Sequence, residues 1–161
     1  MTSAMSRSRA TSRRRQAPST PAGEPRLGML VKRAEQAMIR TKSVALKSVG
    51  LTPAQYVALV ELEQQPGITA ASLARACLVT PQAMMILLKT MDQQGLITRS
   101  AHPRHPNVLE LHMTDVGREA LRDARERVDP IEGRVFAAFS AKETAAFREF
   151  LSRFIEAFEK Q

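Results

Sequence analysis

The sequence has few of the residues that covalent or membrane-spanning folds need. Its 161 residues include one cysteine, one tyrosine and no tryptophan. The lone thiol, Cys77, can form neither an internal disulfide nor a multi-cysteine metal site, which excludes disulfide-rich secreted scaffolds. No apolar run approaches the roughly 18 residues needed to cross a bilayer, which excludes a membrane protein. We therefore expect a soluble, cytoplasmic protein.

Patterns typical of enzymes and metal sites are also missing. The seven glycines are scattered and form no phosphate-cradling loop. No histidine lies near a serine or cysteine with an orienting acid. His102, His105 and His112 fall in one segment that has no defined third and fourth metal ligand. We predict that the protein is not an enzyme and has no metal site and no cofactor.

Positive charge is in excess but unevenly distributed. The net charge is +8, and residues 1–26 contain six arginines and one acid, whereas residues 51–113 contain four basic and four acidic residues. Residues 1–25 have almost nothing to bury, so we predict a disordered basic tail there and a single domain over 26–161. The tail suits a non-specific arm on the phosphates of a polyanion, and a solvated tail without function is the alternative.

Apolar spacing and capping residues predict six helices. A stripe of 3.6-residue period runs from Leu27 and ends near Gly50. The later helices begin after residues that favour the N-cap: Thr52, Thr69, Thr80, Thr114 and Ser140. Gly95 is expected to end the fourth helix. We expect the fifth helix to reach about Val128, where Pro130 breaks or kinks it.

The segment after Gly95 predicts a hairpin. Residues 96–98 suit a short strand, residues 100–107 a proline-rich turn, and residues 108–113 alternate with the period of a second strand. Ile68 on its own is expected to form a one-residue strand.

The third and fourth helices have the layout of a helix-turn-helix, because only Cys77-Leu78-Val79 separates them. On the fourth helix one apolar face must point inward: Met84, Leu87, Leu88 and Met91. The residues left outward are Gln82, Ala83, Met85, Ile86, Lys89 and Thr90. Such a helix enters the major groove of DNA, where glutamine pairs with adenine edges. Two core helices without a ligand are the alternative, but the hairpin that follows favours a winged helix.

The terminal helix has a strongly apolar face. All six phenylalanines lie between residues 136 and 158. The stripe consists of Phe147, Phe150, Leu151, Phe154, Ile155 and Phe158. A second subunit is the expected cover, and closure of the monomer's own core by the terminal helices is the alternative.

From about Leu27 to Phe158 the chain resembles the MarR-type transcription regulators. The resemblance rests on residues 51–100, LTPAQYVALVELEQQPGITAASLARACLVTPQAMMILLKTMDQQGLITRS, and on LELHMTDVGREAL at 109–121. It implies a mostly α, α+β winged helix-turn-helix fold with a two-stranded wing and N- and C-terminal dimerisation helices. The DNA-binding lobe would span about 52–113 and the dimerisation helices about 27–50 and 114–161.

The resemblance also implies function. The expected protein is a homodimeric transcription repressor that binds a pseudo-palindromic operator in duplex DNA. A small phenolic or aromatic carboxylate effector would relieve the repression. The predicted DNA-binding residues are Thr80, Pro81, Gln82, Ala83, Met85, Ile86, Lys89, Thr90, Arg99, Arg104 and His105. An effector pocket between the first, second and fifth helices would include Met38, Lys42 and Tyr56.

Two positions depart from the family pattern. The Asp-Arg pair usual at the wing is replaced by His105 and Pro106, and Arg104 stands one position earlier. Ile86 occupies a position where many relatives place a polar or basic residue, so base recognition here would depend more on apolar and shape contacts. The alternative function is a winged-helix protein-interaction module with only weak, non-specific DNA binding.

Overall fold

The computed structural model describes residues 26–160, without the side chain of Pro106. The predicted basic tail, residues 1–25, lies outside the described residues. The elements follow in the order α1 (Leu27–Lys47), α2 (Pro53–Gln64), α3 (Ala70–Ala76), α4 (Pro81–Gln93), β1 (Ile97–His102), β2 (His105–Met113), α5 (Asp115–Ala137) and α6 (Ala141–Glu159). The predicted mostly helical winged-helix fold is confirmed.

The predicted capping residues begin the helices. The Thr52 hydroxyl accepts a hydrogen bond from the Gln55 amide at 3.2 Å, and the Gln55 side chain accepts one from the Thr52 amide at 2.9 Å. Ser140 and Glu143 form the same reciprocal capping box at α6. The other predicted caps, Thr69, Thr80 and Thr114, also accept from the backbone of their helices. Each cap satisfies an amide that the helix itself leaves unpaired.

Helix α5 does not end where the sequence suggested. It continues through Pro130 to Ala137, so the expectation of an end near Val128 is wrong. Proline removes one helical N–H, but Pro130 is exposed, so water can reach the carbonyl group left without that donor. Buried Val128 anchors the helix just before the proline. The cost of one hydrogen bond is therefore too small to end the helix.

The wing is longer and its tip is tighter than predicted. The strands pair from Ile97 opposite Met113 to Ala101 opposite Leu109, and then His102 lies opposite His105. Only Pro103 and Arg104 form the tip, so the prediction of a turn over residues 100–107 is wrong. The register shift leaves residues 106–108 as a bulge in β2. A bulge accommodates Pro106 because no strand hydrogen bond is needed from its nitrogen.

The base of the wing is tied to the loop before α3. The Gly67 amide donates to the Leu111 carbonyl at 3.0 Å, and the Leu111 amide donates to the Ile68 carbonyl at 3.1 Å. The isolated bridge joins Thr69 to Glu110, one residue later than the single-residue strand predicted at Ile68. Gly67 has a φ of +84°, a conformation that a side chain would disfavour.

The start of α5 is fixed against the end of α4. The Thr114 amide donates to the Leu96 carbonyl at 3.1 Å, and the Thr114 hydroxyl donates to the Gly95 carbonyl at 2.6 Å. Gly117 is buried in the first turn of α5, and a Cβ at this residue would lie 2.2 Å from the Leu96 carbonyl oxygen. The backbones of α5 and of the segment before β1 therefore approach as closely as a glycine allows.

The hydrophobic core lies within the winged-helix lobe, the end of α1 and the adjacent part of α5. Its fully buried large side chains are Leu46, Leu59, Leu62, Leu73, Met84, Leu88, Met91, Leu111, Leu121 and Val128. Helix α6 contributes no buried residue, and Phe150 and Phe158 are 60% and 65% exposed. The apolar stripe of α6 therefore does not close the core of the single chain, whereas the end of α1 does contribute Leu46 to it.

Between residues 26 and 160, no single helix is long and apolar enough to cross a membrane, and only the α3–α4 pair, bent by 108°, reaches that length and apolar character when its two helices are combined. Over the same residues, no group of three or more His, Cys, Asp or Glu side chains is arranged to hold a metal ion.

Candidate nucleic-acid interface and effector cleft

Helix α4 has one buried and one exposed face. Met84, Leu88 and Met91 are buried and Leu87 is half-buried, as the inward stripe predicted. The structure places the other predicted recognition residues on the surface: Thr80, Pro81, Gln82, Ala83, Met85, Ile86, Lys89 and Thr90. Ile86 is 70% exposed and Met85 is 51% exposed. The exposed face thus combines one amide, one cation and two large apolar side chains.

The turn between α3 and α4 directs the start of α4 outward. Leu78 has a φ of +55° and is 92% exposed. Its left-handed backbone makes the sharp bend that a helix-turn-helix requires. The Thr80 hydroxyl then accepts from the Ala83 amide at 3.2 Å and keeps its own hydrogen to donate to an anion such as phosphate.

A buried amide fixes the end of α4. Gln55 is the buried polar residue of the described core, and its Nε2 donates to the Gln94 Oε1 at 2.7 Å. This contact joins the start of α2 to the end of α4. Sequence reasoning missed it, although a glutamine three residues after Thr52 is the capping-box signal that keeps the Gln55 side chain at the helix start.

The predicted wing residues occupy two different places. Arg104 and His105 are exposed at the tip, and the Arg104 amide donates to the His102 Nδ1 at 3.1 Å. Arg99 instead lies half-buried on β1, with its Nε 3.8 Å from the Asp92 Oδ2 at the end of α4 and without a hydrogen-bond partner. The structure therefore groups Arg104 and His105 with each other but not with Arg99.

A histidine–carboxylate cluster supports the wing. Glu110 on β2 lies 3.6 Å from the His102 Nε2 and 3.2 Å from the His112 Nε2. These contacts connect both strands next to the bulge. Sequence reasoning considered the histidines and missed Glu110. The signal was the alternation along β2, which places Glu110 on the same face as His112 and opposite to Leu109 and Leu111.

A cleft of about 370 Å³ opens between α1 and α5. Its lining residues are Ala37, Met38, Thr41, Lys42, Ile131, Glu132, Val135 and Phe136. Met38 and Lys42 thus lie where the effector pocket was expected. Tyr56, the third residue expected there, is buried in the core and is not among the residues that line this cleft.

Ion pairs connect α5 to the helices around it. The Lys42 Nζ lies 2.6 Å from the Glu132 Oε1 at the edge of the cleft. Further along α5, the Arg125 guanidinium makes two hydrogen bonds to the Glu63 carboxylate on α2. The bond to Arg125 holds the pKa of the Glu63 carboxyl below its ordinary value. Sequence reasoning had no signal for these pairings, because they join residues far apart in the chain.

Burial raises the pKa of the Tyr56 phenol above its ordinary value of 10.0, and the Glu132 and Asp129 carboxylates raise it further. The positive charge of Arg125 opposes them. The neutral phenol is therefore the form that the folded state favours, and its contribution to stability is present below pH 10 and lost as the pH rises through the higher folded pKa.

We expect the alkaline titration of Tyr56 to report this environment. Because the chain has one tyrosine and no tryptophan, tyrosinate absorbance follows this residue alone. The midpoint should lie above 10.0 in the folded protein and at the ordinary value in denaturant. Glu132→Gln should lower the folded midpoint while burial keeps it above the denatured one. A folded midpoint equal to the denatured one would contradict the buried position of Tyr56.

Burial also raises the pKa of the Cys77 thiol, to about 11, and the Glu61 carboxylate adds to the shift. Cys77 is half-buried and packs against the core. At neutral pH the thiol stays protonated, and a protonated thiol is a poor nucleophile.

Comparison with known proteins gives relatives over most of the chain. A family model described as the MarR family matches residues 49–105. The HTH-type transcriptional repressor Rv2887 of Mycobacterium tuberculosis is 33% identical over 127 residues, which cover 79% of this chain and 91% of the relative. Its crystal structure in complex with salicylic acid has a TM-score of 0.64 and 32% identity, covering 83% of this chain and 98% of that one.

A second similar structure is a complex with nucleic acid. The transcriptional repressor CouR, bound to a 23-mer DNA duplex, has a TM-score of 0.73 and 25% identity, and the match covers 80% of this chain and 92% of CouR. The suspected resemblance is therefore confirmed in both sequence and fold. With a relative at 33% identity over 79% of its length, the chain belongs to the MarR family of helix-turn-helix transcription regulators.

Proposed function

We propose that the protein is a sequence-specific DNA-binding repressor that acts in the cytoplasm as a homodimer and responds to a small ligand. It works by binding and not by catalysis. The observation that carries the proposal is the exposed face of α4, which presents Gln82, Ile86 and Lys89 next to the wing. The CouR complex with a DNA duplex shows that a similar fold binds this partner.

Helix α4 reads the major groove in this proposal. Gln82 near its start pairs with the edge of an adenine, and Met85 and Ile86 contact thymine methyl groups. Lys89 and the Thr80 hydroxyl contact phosphates, which position the helix without reading sequence. The wing tip, with Arg104 and His105, follows the backbone or the minor groove. Arg99 contributes from β1 and not from the wing tip, and its Nε lies 3.8 Å from the Asp92 Oδ2.

Two copies associate through the helices outside the lobe. The lobe spans about 52–113, and the segments about 27–50 and 114–161 form the dimer. Support comes from α6, whose phenylalanine stripe is exposed in the single chain although exposed apolar faces of this kind are usually covered by a second subunit. An isologous dimer of this kind would present two α4 helices to a pseudo-palindromic operator.

The cleft between α1 and α5 is the proposed effector site. Met38, Ile131 and Phe136 supply apolar surface for an aromatic ring, and Lys42 supplies a cation for a carboxylate or phenolate. The salicylic acid bound to the Rv2887 repressor is a small phenolic carboxylate of this type. We propose an effector from the phenolic or aromatic carboxylate class.

Substitutions on α4 and at the wing test DNA reading. Gln82→Ala should weaken binding to the operator by about 1–3 kcal/mol and leave non-specific binding almost unchanged. Lys89→Ala and Arg104→Ala should weaken binding to every sequence and each reduce the salt slope by about 1. Fluorescence anisotropy on the DNA upstream of the gene and on a scrambled duplex, at two salt concentrations, measures these effects.

The control is Lys142→Ala, which removes one exposed positive charge from the first turn of α6. It should leave both affinity and salt slope unchanged. If all four variants bind the two duplexes as weakly and equally as the original protein, DNA reading is contradicted. The winged helix would then be a protein-interaction module, the reading favoured by the missing Asp-Arg pair at the wing.

A further inference from the structure

The cation of the α1–α5 cleft is already neutralised from within the chain. Lys42 is the positively charged residue among those lining the cleft, and Glu132 on the opposite wall is the negatively charged one. The Lys42 Nζ and the Glu132 Oε1 are 2.6 Å apart. A ligand carboxylate therefore does not meet an unpaired ammonium group, and it has to compete with Glu132 for Lys42.

The two partners differ in how readily they can part. The Lys42 side chain is 23% exposed and lies against the wall of the cleft, where an anion beside its ammonium group is favourable. The Glu132 side chain is 45% exposed, so its carboxylate can turn toward water when it is released. Exchange of one carboxylate for another on Lys42 thus costs little electrostatic free energy.

The rest of the cleft supplies the affinity. Beside the ion pair, Met38, Ile131, Val135 and Phe136 line the cleft with apolar surface, and its volume of about 370 Å³ accommodates a single substituted aromatic ring. Burial of a ring against this surface is favourable whatever charge the ring carries. The ring thus provides the binding free energy, and the carboxylate decides whether the ion pair between α1 and α5 is kept or broken.

We propose that Glu132 is a built-in counter-ion that an aromatic carboxylate effector displaces from Lys42, so that ligand binding exchanges a tie between α1 and α5 for a tie between α1 and the ligand. This inference rests on the proposed effector site and adds the residue that controls its selectivity. An uncharged ring enters the same cleft and leaves the Lys42–Glu132 pair intact. Carboxylates and neutral analogues therefore bind the cleft with different consequences for α5.

The surroundings of Glu132 fit this role. Its carboxylate is one of the charges that raise the pKa of the buried Tyr56 phenol. Asp129, one turn earlier on α5, acts on the same phenol, and Arg125 opposes both. Glu132 therefore has an acidic neighbour, Asp129, on its own helix. The repulsion between the two carboxylates weakens when the Glu132 carboxylate turns toward water.

A matched pair of ligands tests the proposal. Salicylate and salicylamide have the same ring and differ in the charge of one group, and calorimetry of the full chain measures the affinity of each. Glu132→Gln should tighten salicylate about threefold to tenfold, because the competing carboxylate is gone, and change salicylamide by less than about twofold. Lys42→Met removes the positive charge and keeps an unbranched side chain. Combined with Glu132→Gln, it should abolish the gain in salicylate affinity.

Three results would overturn the proposal: an unchanged or weaker affinity of Glu132→Gln for salicylate, an equal gain for salicylamide, or no binding of either ligand to either protein. If Glu132→Gln fails to fold, carbon NMR of the Glu132 carboxyl group in the original protein decides. Its signal should move on addition of salicylate and not of salicylamide, and a signal that does not move overturns the exchange. Operator binding without ligand is measured separately, so failure of the proposed DNA-binding function remains distinguishable.

Discussion

Replacement of Gly117 by alanine is expected to destabilise the protein by about 2–4 kcal/mol. The added Cβ would lie 2.2 Å from the Leu96 carbonyl oxygen and 2.8 Å from the Met113 Cγ. The methionine side chain can move, but the carbonyl belongs to the backbone and accepts the Thr114 amide. The start of α5 would have to move away from the lobe. Thermal or denaturant unfolding measures the loss.

Gly133→Ala is the matched control, because it makes the same change in the same helix. Its Cβ would meet nothing within 4 Å. Alanine is favoured over glycine within a helix by about 0.5–1 kcal/mol, so this variant should be as stable as the original protein or slightly more stable. Equal effects of the two substitutions would show that the contact of Gly117 with Leu96 does not constrain the fold.

Replacement of Phe150 by aspartate is expected to separate the proposed dimer and to lower operator affinity by about 100-fold. Phe150 lies on the apolar stripe of α6 and is 60% exposed in the single chain. A charge at the centre of a buried interface loses its water without gaining a partner. Each lobe would then bind a half-site alone and lose the high effective concentration of its linked neighbour. Sedimentation analysis and anisotropy on the operator measure the two effects.

Ser152→Asp serves as the control for charge and helix propensity. Ser152 is exposed on α6 and lies off the apolar stripe. The variant should remain dimeric and bind the operator as the original protein does. A monomeric original protein would contradict the proposed dimer. A dimer that survives Phe150→Asp would place the interface elsewhere and contradict the proposed role of α6.

Local chemistry made most of the fold predictable. Threonines and serines before apolar stripes located helix starts, and the stripe of α4 separated Met84 and Leu88 from the exposed Gln82 and Lys89. These features depend on a few neighbouring residues. The expected end of the fifth helix near Pro130 was wrong because the packing of Leu121, Ala124 and Val128 before the proline outweighs one missing hydrogen bond.

Features that depend on distant contacts were less predictable. Prolines suggested a wide turn at the wing, but a bulge in β2 absorbs Pro106 and lets the strands continue. Tyr56 lies on the second helix, one of the three helices expected to form the effector pocket, and its side chain is buried in the core. Glu132 could not be recognised as the partner of Lys42, because nothing local joins residues 90 positions apart.

The close fit of α5 against the segment after α4 also limits how the molecule can move. With Thr114 bonded to both Gly95 and Leu96, and Gly117 leaving no gap, the end of α4, the base of the wing and the first turn of α5 form one rigid corner. Because the start of α5 is held against the lobe, any displacement of α5 must occur in its second half, and the cleft lies there. Motion at the cleft therefore changes the angle between the lobe and the rest of the helix. The exposed face of α4 and the wing therefore keep their shape, and only their orientation relative to the rest of α5 changes.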